Sequence, residues 1–361
     1  MAVQQFPCKE CGAELRFEPG ENALKCPYCG TVNEIEQAEV AVEELDFEHA
    51  LAQLKAGGET YEVVVIRCSN CGAETTFDPN ITSDMCAFCG TPHVLEKGST
   101  RLIKPQALLA FKVTNREARD HFKKWLHGLW FAPNDIKQYA RREGGLNGMY
   151  LPHWTYDTET TTRYTGQRGE YYYVTETYTT VENGKSVQRT RQVRKTRWYP
   201  ASGTVYNSFD DVLVVASESL PRNYMQKLEP WDLEEVVPYT EAYLSGFRTE
   251  SYTVDLEEGF GLACARMQPT IDSSICSDIG GDTQRISSKN TRYDDVTFKH
   301  LLLPIWISTY RYRDKAYRFL VNARTGEVTG ERPWSWVKIT LAVLAALLVI
   351  AVIVYFAQQS G

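Results

Sequence analysis

The sequence predicts an α+β protein built from two small cysteine-rich β modules, a sheet-rich α+β body with an internal repeat, and one apolar C-terminal helix. Three observations predict this class. Eight of the ten cysteines fall into two copies of one spacing pattern, the chain holds 21 tyrosines and 8 tryptophans, and its end is strongly apolar. Aromatic residues favour strands. A chain of 361 residues has room for two or three domains.

The cysteine pattern opens the chain and returns 60 residues later with the same fourteen-residue gap between its pairs. Two residues between paired cysteines let one tight turn direct both sulfurs to one point, and a tetrahedral zinc ion binds thiolates at about 2.3 Å. Glycine follows each pair, as a left-handed turn position requires. We predict one zinc ribbon over residues 1–33 and a second over 61–97, with two zinc ions per chain. The ligands are Cys8, Cys11, Cys26 and Cys29, and then Cys68, Cys71, Cys86 and Cys89.

Disulfides and iron are the alternatives to zinc, and the regular spacing, present twice, argues against buried free thiols. The residues before Cys8 do not resemble a signal peptide, so we expect a reducing compartment in which disulfides are rare. Iron is the second alternative, because the Cys-Pro-Tyr-Cys-Gly turn at 26–30 resembles the turns of rubredoxins. Zinc is the preferred prediction.

Charge is distributed unevenly along the chain. Residues 1–100 hold 6 Lys and Arg against 17 Asp and Glu, a net charge of -11, whereas residues 101–336 carry a net charge of +3. An acidic region repels the phosphate backbone of nucleic acids. Nucleic-acid binding through the ribbons is therefore not expected.

An acidic linker over residues 34–60 joins the two ribbons. Asp46 is placed to cap a short helix that carries Phe47, Leu51 and Leu54 on one face. A strand from Tyr61 is predicted to lead into the second ribbon.

The body, residues 101–333, repeats one plan. A capping pair closes a strand, a helical pattern follows, and a Leu-Pro-x-Trp strand comes next. In the first copy, the capping pair is Thr114 with Glu117, the helical pattern covers residues 118–129, and the Leu-Pro-x-Trp segment is 151–154. In the second copy, the corresponding parts are Asp255 with Glu258, residues 259–279 and residues 303–306. The repeat predicts a pseudo-twofold organisation, with chance similarity as the alternative.

A long hairpin is predicted in the middle of the body. Asn183-Gly184 is a strong two-residue turn signal between β-rich segments. Pairing across this turn places Glu176 opposite Arg191 and Glu170 opposite Arg197. The basic strand 189–197 is interpreted as a solvated face balanced by these glutamates. An anionic lipid surface or an acidic partner is the alternative.

Residues 337–356 form an apolar run whose single charge is Lys338. At about 1.5 Å per residue, the run spans roughly 30 Å, the thickness of a bilayer core. Aromatic residues stand at both ends, as in membrane-interface belts. They are Trp334, Trp336, Tyr355 and Phe356. Because Arg332 and Lys338 lie at the N-terminal end, we expect a single-pass anchor in the cytoplasmic (inner) membrane. The lipid bilayer is its partner, and the N-terminal body lies in the cytoplasm.

Two segments resemble parts of catalytic motifs, and neither has the sequence context that the motif requires. Gly184-Lys185-Ser186 resembles a phosphate loop, but Thr179 stands where that loop needs glycine. In a nucleotide hydrolase, a pair of acidic residues follows an apolar strand. Here the acidic pair Asp210-Asp211 comes before the apolar run instead. No catalytic residue is assigned, and we expect a protein that is not an enzyme.

Four features together resemble a known family. They are the paired ribbons, Trp198–Gly203, Gly280–Arg285, and Asn322–Glu327 ahead of the apolar run. Over nearly its whole length the chain resembles a bacterial membrane-anchored family with general-transcription-factor-type zinc ribbons. Its members are often labelled primosomal protein N-prime (replication factor Y), superfamily II helicase. The resemblance implies metal at the eight ribbon cysteines.

We therefore expect a membrane-tethered cytoplasmic protein that binds or scaffolds a protein partner through its ribbons and its body. One alternative is a replication-associated nucleic-acid-binding factor, in keeping with the helicase label. The other is a rubredoxin-like iron protein that transfers electrons.

Overall fold

A computed structural model describes residues 6–35, 42–56, 61–68, 70–76, 86, 88–89, 96–136, 145–182, 185–313 and 315–359. The protein is α+β, as the sequence predicts. Within these residues, two three-stranded sheets carry the cysteine patterns and a nine-stranded sheet forms the body.

The first ribbon is a three-stranded antiparallel sheet of β1 (Arg16–Glu18), β2 (Ala23–Lys25) and β3 (Val32–Glu34). In the β1–β2 hairpin, Phe17 lies opposite Leu24. The hairpin occupies the fourteen-residue gap between the cysteine pairs and returns the second pair to the first. A gap of fourteen residues is long enough for such a hairpin, which lets the two cysteine pairs meet.

The linker contributes β4 (Leu45–Asp46) and helix α1 (Phe47–Lys55). The Asp46 carboxylate accepts a hydrogen bond from the His49 backbone N–H, so the predicted cap is confirmed. β4 pairs with a long strand of the body, which attaches the linker to the main sheet.

The second ribbon contains β5 (Tyr61–Arg67), β6 (Glu74–Thr76) and β7 (Glu96–Leu102). β5 is the central strand and pairs antiparallel with both neighbours. The strand predicted from Tyr61 is therefore present.

Besides β4, the main sheet contains, in chain order, β8 (Ala107–Leu108), β9 (Asn147–Glu182), β10 (Lys185–Val215), β11 (Val237–Pro238), β12 (Arg248–Thr249), β13 (Thr283–Tyr312), β14 (Lys315–Asn322) and β15 (Val328–Gly330). The long strands β9, β10 and β13 dominate this sheet, and its central order is β10-β9-β13-β14-β15. The helices are α2 (Asn115–His127), α3 (Arg222–Gln226), α4 (Leu256–Ile279) and α5 (Trp336–Gln359).

The long hairpin has the predicted register. Glu176 lies opposite Arg191 and Glu170 lies opposite Arg197, while the turn residues Asn183 and Gly184 fall outside the described residues. β13 pairs with β9 only as far as Gly169. Beyond that point β9 and β10 continue as a two-stranded arm, residues 170–182 and 185–197, about 40 Å long.

The two halves of the body follow one plan. β8 pairs parallel with Leu301–Leu302, and β12 pairs parallel with Met149–Tyr150. The residues just before the caps of α2 and α4 are also held alike. Val113 N–H donates to the Ala323 carbonyl at 2.8 Å, and Val254 N–H donates to the Ala216 carbonyl at 3.2 Å. Both predicted caps form, with Glu117 and Glu258 N–H donating to the Thr114 and Asp255 side chains.

Helix α4 lies across the long strands and fills one side of the sheet with a row of apolar residues at helical spacing. The row consists of Ala263, Met267, Ile271, Ile275 and Ile279, all buried. Helix α2 packs on the other half, where Phe122 stacks on Phe319 with ring centroids 3.6 Å apart.

Helix α5 stands apart from this core. Its mean hydropathy is 3.0, none of its apolar window is buried, and by length and composition it is able to cross a membrane. It begins one residue before the predicted run and ends three residues after it.

Candidate metal centres

The first cysteine group converges as its spacing predicts. Cys8 Sγ lies 3.5 Å from Cys29 Sγ, and Cys11 Sγ lies 3.5 Å from Cys26 Sγ. All four sulfurs are within 4.8 Å of one another. A tetrahedral ion with bonds of about 2.3 Å needs ligand sulfurs about 3.8 Å apart. The group therefore fits a metal ion bound by four thiolates.

The second group has the same arrangement. Cys68 Sγ lies 3.6 Å from Cys89 Sγ, and Cys71 Sγ lies 3.6 Å from Cys86 Sγ. These four sulfurs also lie within 4.8 Å of one another. The structure thus brings all eight predicted ligands together in two groups of four.

Each described cysteine turn is held by the same backbone bonds. Cys8 N–H donates to the Ala13 carbonyl at 2.7 Å, and Cys68 N–H donates to the Ala73 carbonyl at 2.9 Å. The glycine after the pair takes a positive φ, +71° at Gly12, +77° at Gly30 and +75° at Gly72. A side chain resists this conformation, which explains glycine at these positions.

Burial differs between the members of each group. Cys8 and Cys26 are buried against the body, whereas Cys11 and Cys29 are exposed. In the second group, Cys68 and Cys86 are buried and the other two are partly so. Each site therefore lies at the boundary between a ribbon and the body.

Neighbouring groups shift the acidity of the thiols. The Thr31 hydroxyl, 3.2 Å from Cys29 Sγ, and the Thr31 backbone N–H lower the pKa of Cys29 to about 6, which favours its thiolate. Burial raises the pKa of Cys71 to about 11 and raises the pKa of Cys86 further. Metal ligation requires thiolates, so metal binding at either group releases protons from these cysteines.

The first ribbon packs into the body. Phe17 N–H donates to the Ser245 carbonyl at 3.0 Å, and Ser245 Oγ donates to the Leu15 carbonyl at 2.6 Å. The Phe17 ring lies 5.2 Å from the Tyr243 ring, within one apolar cluster that also contains Phe111. Sequence patterns did not indicate this docking, because residues 240–247 carry no motif of their own.

The second ribbon docks a few residues further along the same segment. Ser251 N–H donates to the Glu74 carbonyl at 3.1 Å, and Thr75 forms a β-bridge with Glu250. Phe88 is fully buried in a cluster with Met149 and other body residues. One segment of the body, residues 240–251, thus contacts both ribbons.

A third group of possible ligands has a different character. Carboxylate oxygens of Glu44, Asp157 and Asp210 lie within 4.8 Å of one another. Lys299 Nζ stands among them, 3.0 Å from Glu44 and 2.7 Å from Asp211. A hydrogen bond from the Asp157 carboxyl lowers the pKa of Glu44 to about 2, and burial raises the pKa of Asp157 to about 7. Lys299 offsets part of the negative charge of this cluster, which joins the linker to the main sheet.

The phosphate-loop resemblance at Gly184-Lys185 is explained by the fold. Lys185 is the first residue of β10 and pairs with Glu182 across the hairpin turn. A phosphate loop instead leads into a helix, whose N-terminal N–H groups face the phosphates.

Comparison with known proteins gives one relative. The chain is 28% identical to the uncharacterized protein YdjG of Bacillus subtilis (strain 168) over 336 residues, which cover 92% of this chain and 91% of the relative. No protein-family model matches the chain, and no solved structure matches it.

Proposed function

We propose that this chain is a membrane-anchored zinc-ribbon protein whose body lies in the cytoplasm and serves as a binding module or scaffold for another protein. The observation that carries the proposal is the combination of two four-sulfur groups and an apolar helix that the body leaves uncovered.

The donor sets support zinc in a structural role. Four thiolates complete a tetrahedral shell and leave no position for water or substrate, whereas catalytic zinc keeps one position open. The burial of Cys8 and Cys26 against the body means that an ion there would fix the first ribbon onto the sheet. Zinc would thus stabilise the fold rather than supply chemistry.

The charges beside helix α5 support the orientation. Arg332 and Lys338 lie at its N-terminal end, and the Arg332 guanidinium stacks 4.2 Å from the centre of the Trp334 ring. Positive charges beside a span favour the cytoplasmic side. The body is on that side of α5.

The outer tip of the first ribbon supports a recognition role. Tyr28 lies between Cys26 and Cys29 and is 83% exposed, and Val32 is 50% exposed on the following strand. A large aromatic ring on a rigid, metal-clamped turn loses little conformational entropy on binding and is a frequent anchor of protein interfaces.

Site-specific substitution tests this role. Membranes holding the full-length protein would be solubilised gently, and proteins captured with the wild type would be quantified against the Tyr28→Ala variant. Tyr206→Ala is the matched control, because Tyr206 is 75% exposed on β10. We expect a partner that is lost with Tyr28→Ala and kept with Tyr206→Ala. Identical capture by all three proteins would contradict recognition through the ribbon tip.

A nucleic-acid role is the second candidate, and the arm is the feature that favours it. Its basic strand carries Arg189, Arg191, Arg194, Lys195 and Arg197. Glu176 neutralises part of this charge, at 3.1 Å from Lys195 and 3.5 Å from Arg191. DNA binding would then be weak and salt-sensitive, and it would be lost when the arm cations, rather than ribbon residues, are replaced.

A further inference from the structure

The loop that follows helix α2 holds two aromatic side chains away from the core. Ala132 and Ile136 are buried in the cluster that contains Phe122, and they anchor the loop. Trp130, between them and the helix, is 84% exposed, and Phe131 is 38% exposed.

The same loop is hydrogen-bonded to the start of helix α5, at Ser335 just before the helix and at Lys338 in its first turn. Ser335 N–H donates to the Phe131 carbonyl at 2.7 Å. Lys338 Nζ donates to the Ala132 carbonyl at 2.8 Å. These bonds join residues about 200 positions apart in the chain, and they hold the loop at the point where the apolar helix leaves the body.

Phe131 also lies beside helix α5, on the C-terminal side of these two hydrogen bonds. It lines an apolar recess with Trp334 and the α5 side chains Ile339, Ala342, Val343 and Ala346. At about 1.5 Å per residue, Ile339 and Ala346 are about 5 and 15 Å along the helix from Trp336. If α5 spans a bilayer, Phe131 is therefore level with the entry to the hydrocarbon core, and Trp130 stands next to it.

We infer that the Trp130–Phe131 loop inserts into the interface of the same phospholipid bilayer that α5 spans. It completes an aromatic belt with Trp334, 51% exposed, and Trp336, 77% exposed. Indole rings favour this interface because their apolar ring contacts acyl chains while the N–H faces water and head groups. The inference rests on the proposed membrane span.

Lipid is the expected partner of these rings because the loop lies directly beside the apolar helix α5. The exposed rings belong to a loop that is hydrogen-bonded to the start of the helix, so any bilayer around α5 must reach them. Arg332, over the Trp334 ring, and Lys338, bonded to the Ala132 carbonyl, place positive charge beside these rings, and such charge attracts anionic lipid. A second membrane contact restricts how the body can tilt about a single helix, and it thereby sets how far the arm stands from the membrane.

Tryptophan quenching by brominated lipid tests the inference on the full-length protein. The chain would be reconstituted in phosphatidylcholine and phosphatidylglycerol vesicles, with bromine placed on the acyl chains near the carbonyl. Of the 8 tryptophans, Trp130, Trp334 and Trp336 would lie at the bilayer interface if the loop inserts beside α5. The Trp130→Phe variant should lose about one third of the lipid-quenchable fluorescence, while its phenyl ring keeps the apolar contact.

Trp198→Phe is the matched control. Trp198 is half-buried at the base of the arm and lies opposite Gly169. Gly169 is 22 residues along β9 from Asn147, where that strand begins. Loss of Trp198 should therefore leave the lipid-quenchable fluorescence unchanged. Alkaline carbonate extraction of the same vesicles reports separately on α5. Protein that resists carbonate but shows the same quenching with and without Trp130 would overturn the inference and leave the span intact. Protein that carbonate removes would overturn the span and, with it, this inference.

Discussion

Trp306 Nε1 donates a hydrogen bond to the Val113 carbonyl at 2.9 Å, across 193 residues of sequence. Trp154 makes the equivalent bond in the other half, to the Val254 carbonyl at 3.0 Å. Each carbonyl belongs to the residue just before a helix cap, and each tryptophan belongs to a Leu-Pro-x-Trp strand. Each half therefore contributes a tryptophan that fixes the helix start of the other half.

The first prediction concerns this bond. Trp306→Phe keeps most of the ring but leaves the buried Val113 carbonyl without its donor, so we expect the free energy of unfolding to fall by about 1–3 kcal/mol. Urea unfolding of the detergent-solubilised protein measures it. Trp198→Phe is the control and should cost less than about 0.5 kcal/mol, because Trp198 is only half-buried and phenylalanine keeps an aromatic face for the Arg285 guanidinium, which lies 4.0 Å from the centre of the Trp198 ring. Equal effects of the two substitutions would contradict the role of the bond.

The second prediction concerns Glu250, which is 1% exposed beside the second ribbon. Ser217 Oγ donates to Glu250 Oε1 at 2.7 Å, while within the described residues Oε2 has no hydrogen-bond partner. Burial raises the pKa of Glu250 from its ordinary value of 4.5 to about 7. The folded state thus holds the proton more tightly than the unfolded state. This contribution to stability is complete below pH 4.5 and is lost as the pH rises through 7.

Glu250→Gln removes the ionisation and keeps the shape of the side chain. We expect this variant and the wild type to have similar stability near pH 4.5. At pH 8 the variant should be more stable by about 2–3 kcal/mol. Unfolding midpoints measured across this pH range give the comparison. A difference that does not change with pH would show that Glu250 does not titrate in this range.

Sequence patterns predicted the parts of this protein that depend on local geometry. Cysteine spacing identified both four-sulfur groups, cap residues located α2 and α4, and a two-residue turn set the register of Glu176 with Arg191. Each of these follows from residues close in the chain or from a repeated period.

Contacts between distant segments were not predictable in the same way. The docking of Phe17 on Tyr243 joins residues more than 200 positions apart, and only their apolar character is visible in sequence. Likewise, the position of the Trp130 loop beside α5 follows from the hydrogen bond between Ser335 and Phe131, which the sequence does not reveal. Without an established contact between the two segments, an exposed tryptophan after a helix is an ordinary surface residue.

The third prediction concerns the anchor. A chain that ends at Pro333 lacks Trp334 and the whole of α5, so we expect it in the supernatant after alkaline carbonate extraction. The full chain should remain in the membrane pellet. Cell fractionation followed by immunodetection measures the distribution. A truncated chain that stays in the carbonate-washed pellet would show that another segment anchors the protein.

The fourth prediction concerns the helicase label of the resembling family. We expect ATP hydrolysis by the purified protein to stay at background, with or without forked DNA. The only glycine-lysine-serine motif of the sequence leads into strand β10 at Lys185 and provides no helix N-terminus for phosphates. DNA-stimulated hydrolysis that disappears with Lys185→Ala would establish a motor activity in this chain.

The metal content of the full-length protein tests the central claim most directly. The account predicts two zinc ions per chain by elemental analysis, one in Cys26→Ser and none in Cys26→Ser combined with Cys86→Ser. The single variant should keep the second ion, because the two ribbons pack into separate core clusters. Cys264→Ser, which changes a cysteine outside both groups, should still hold two. Iron with visible absorbance, or two zinc ions retained by Cys26→Ser, would contradict the account.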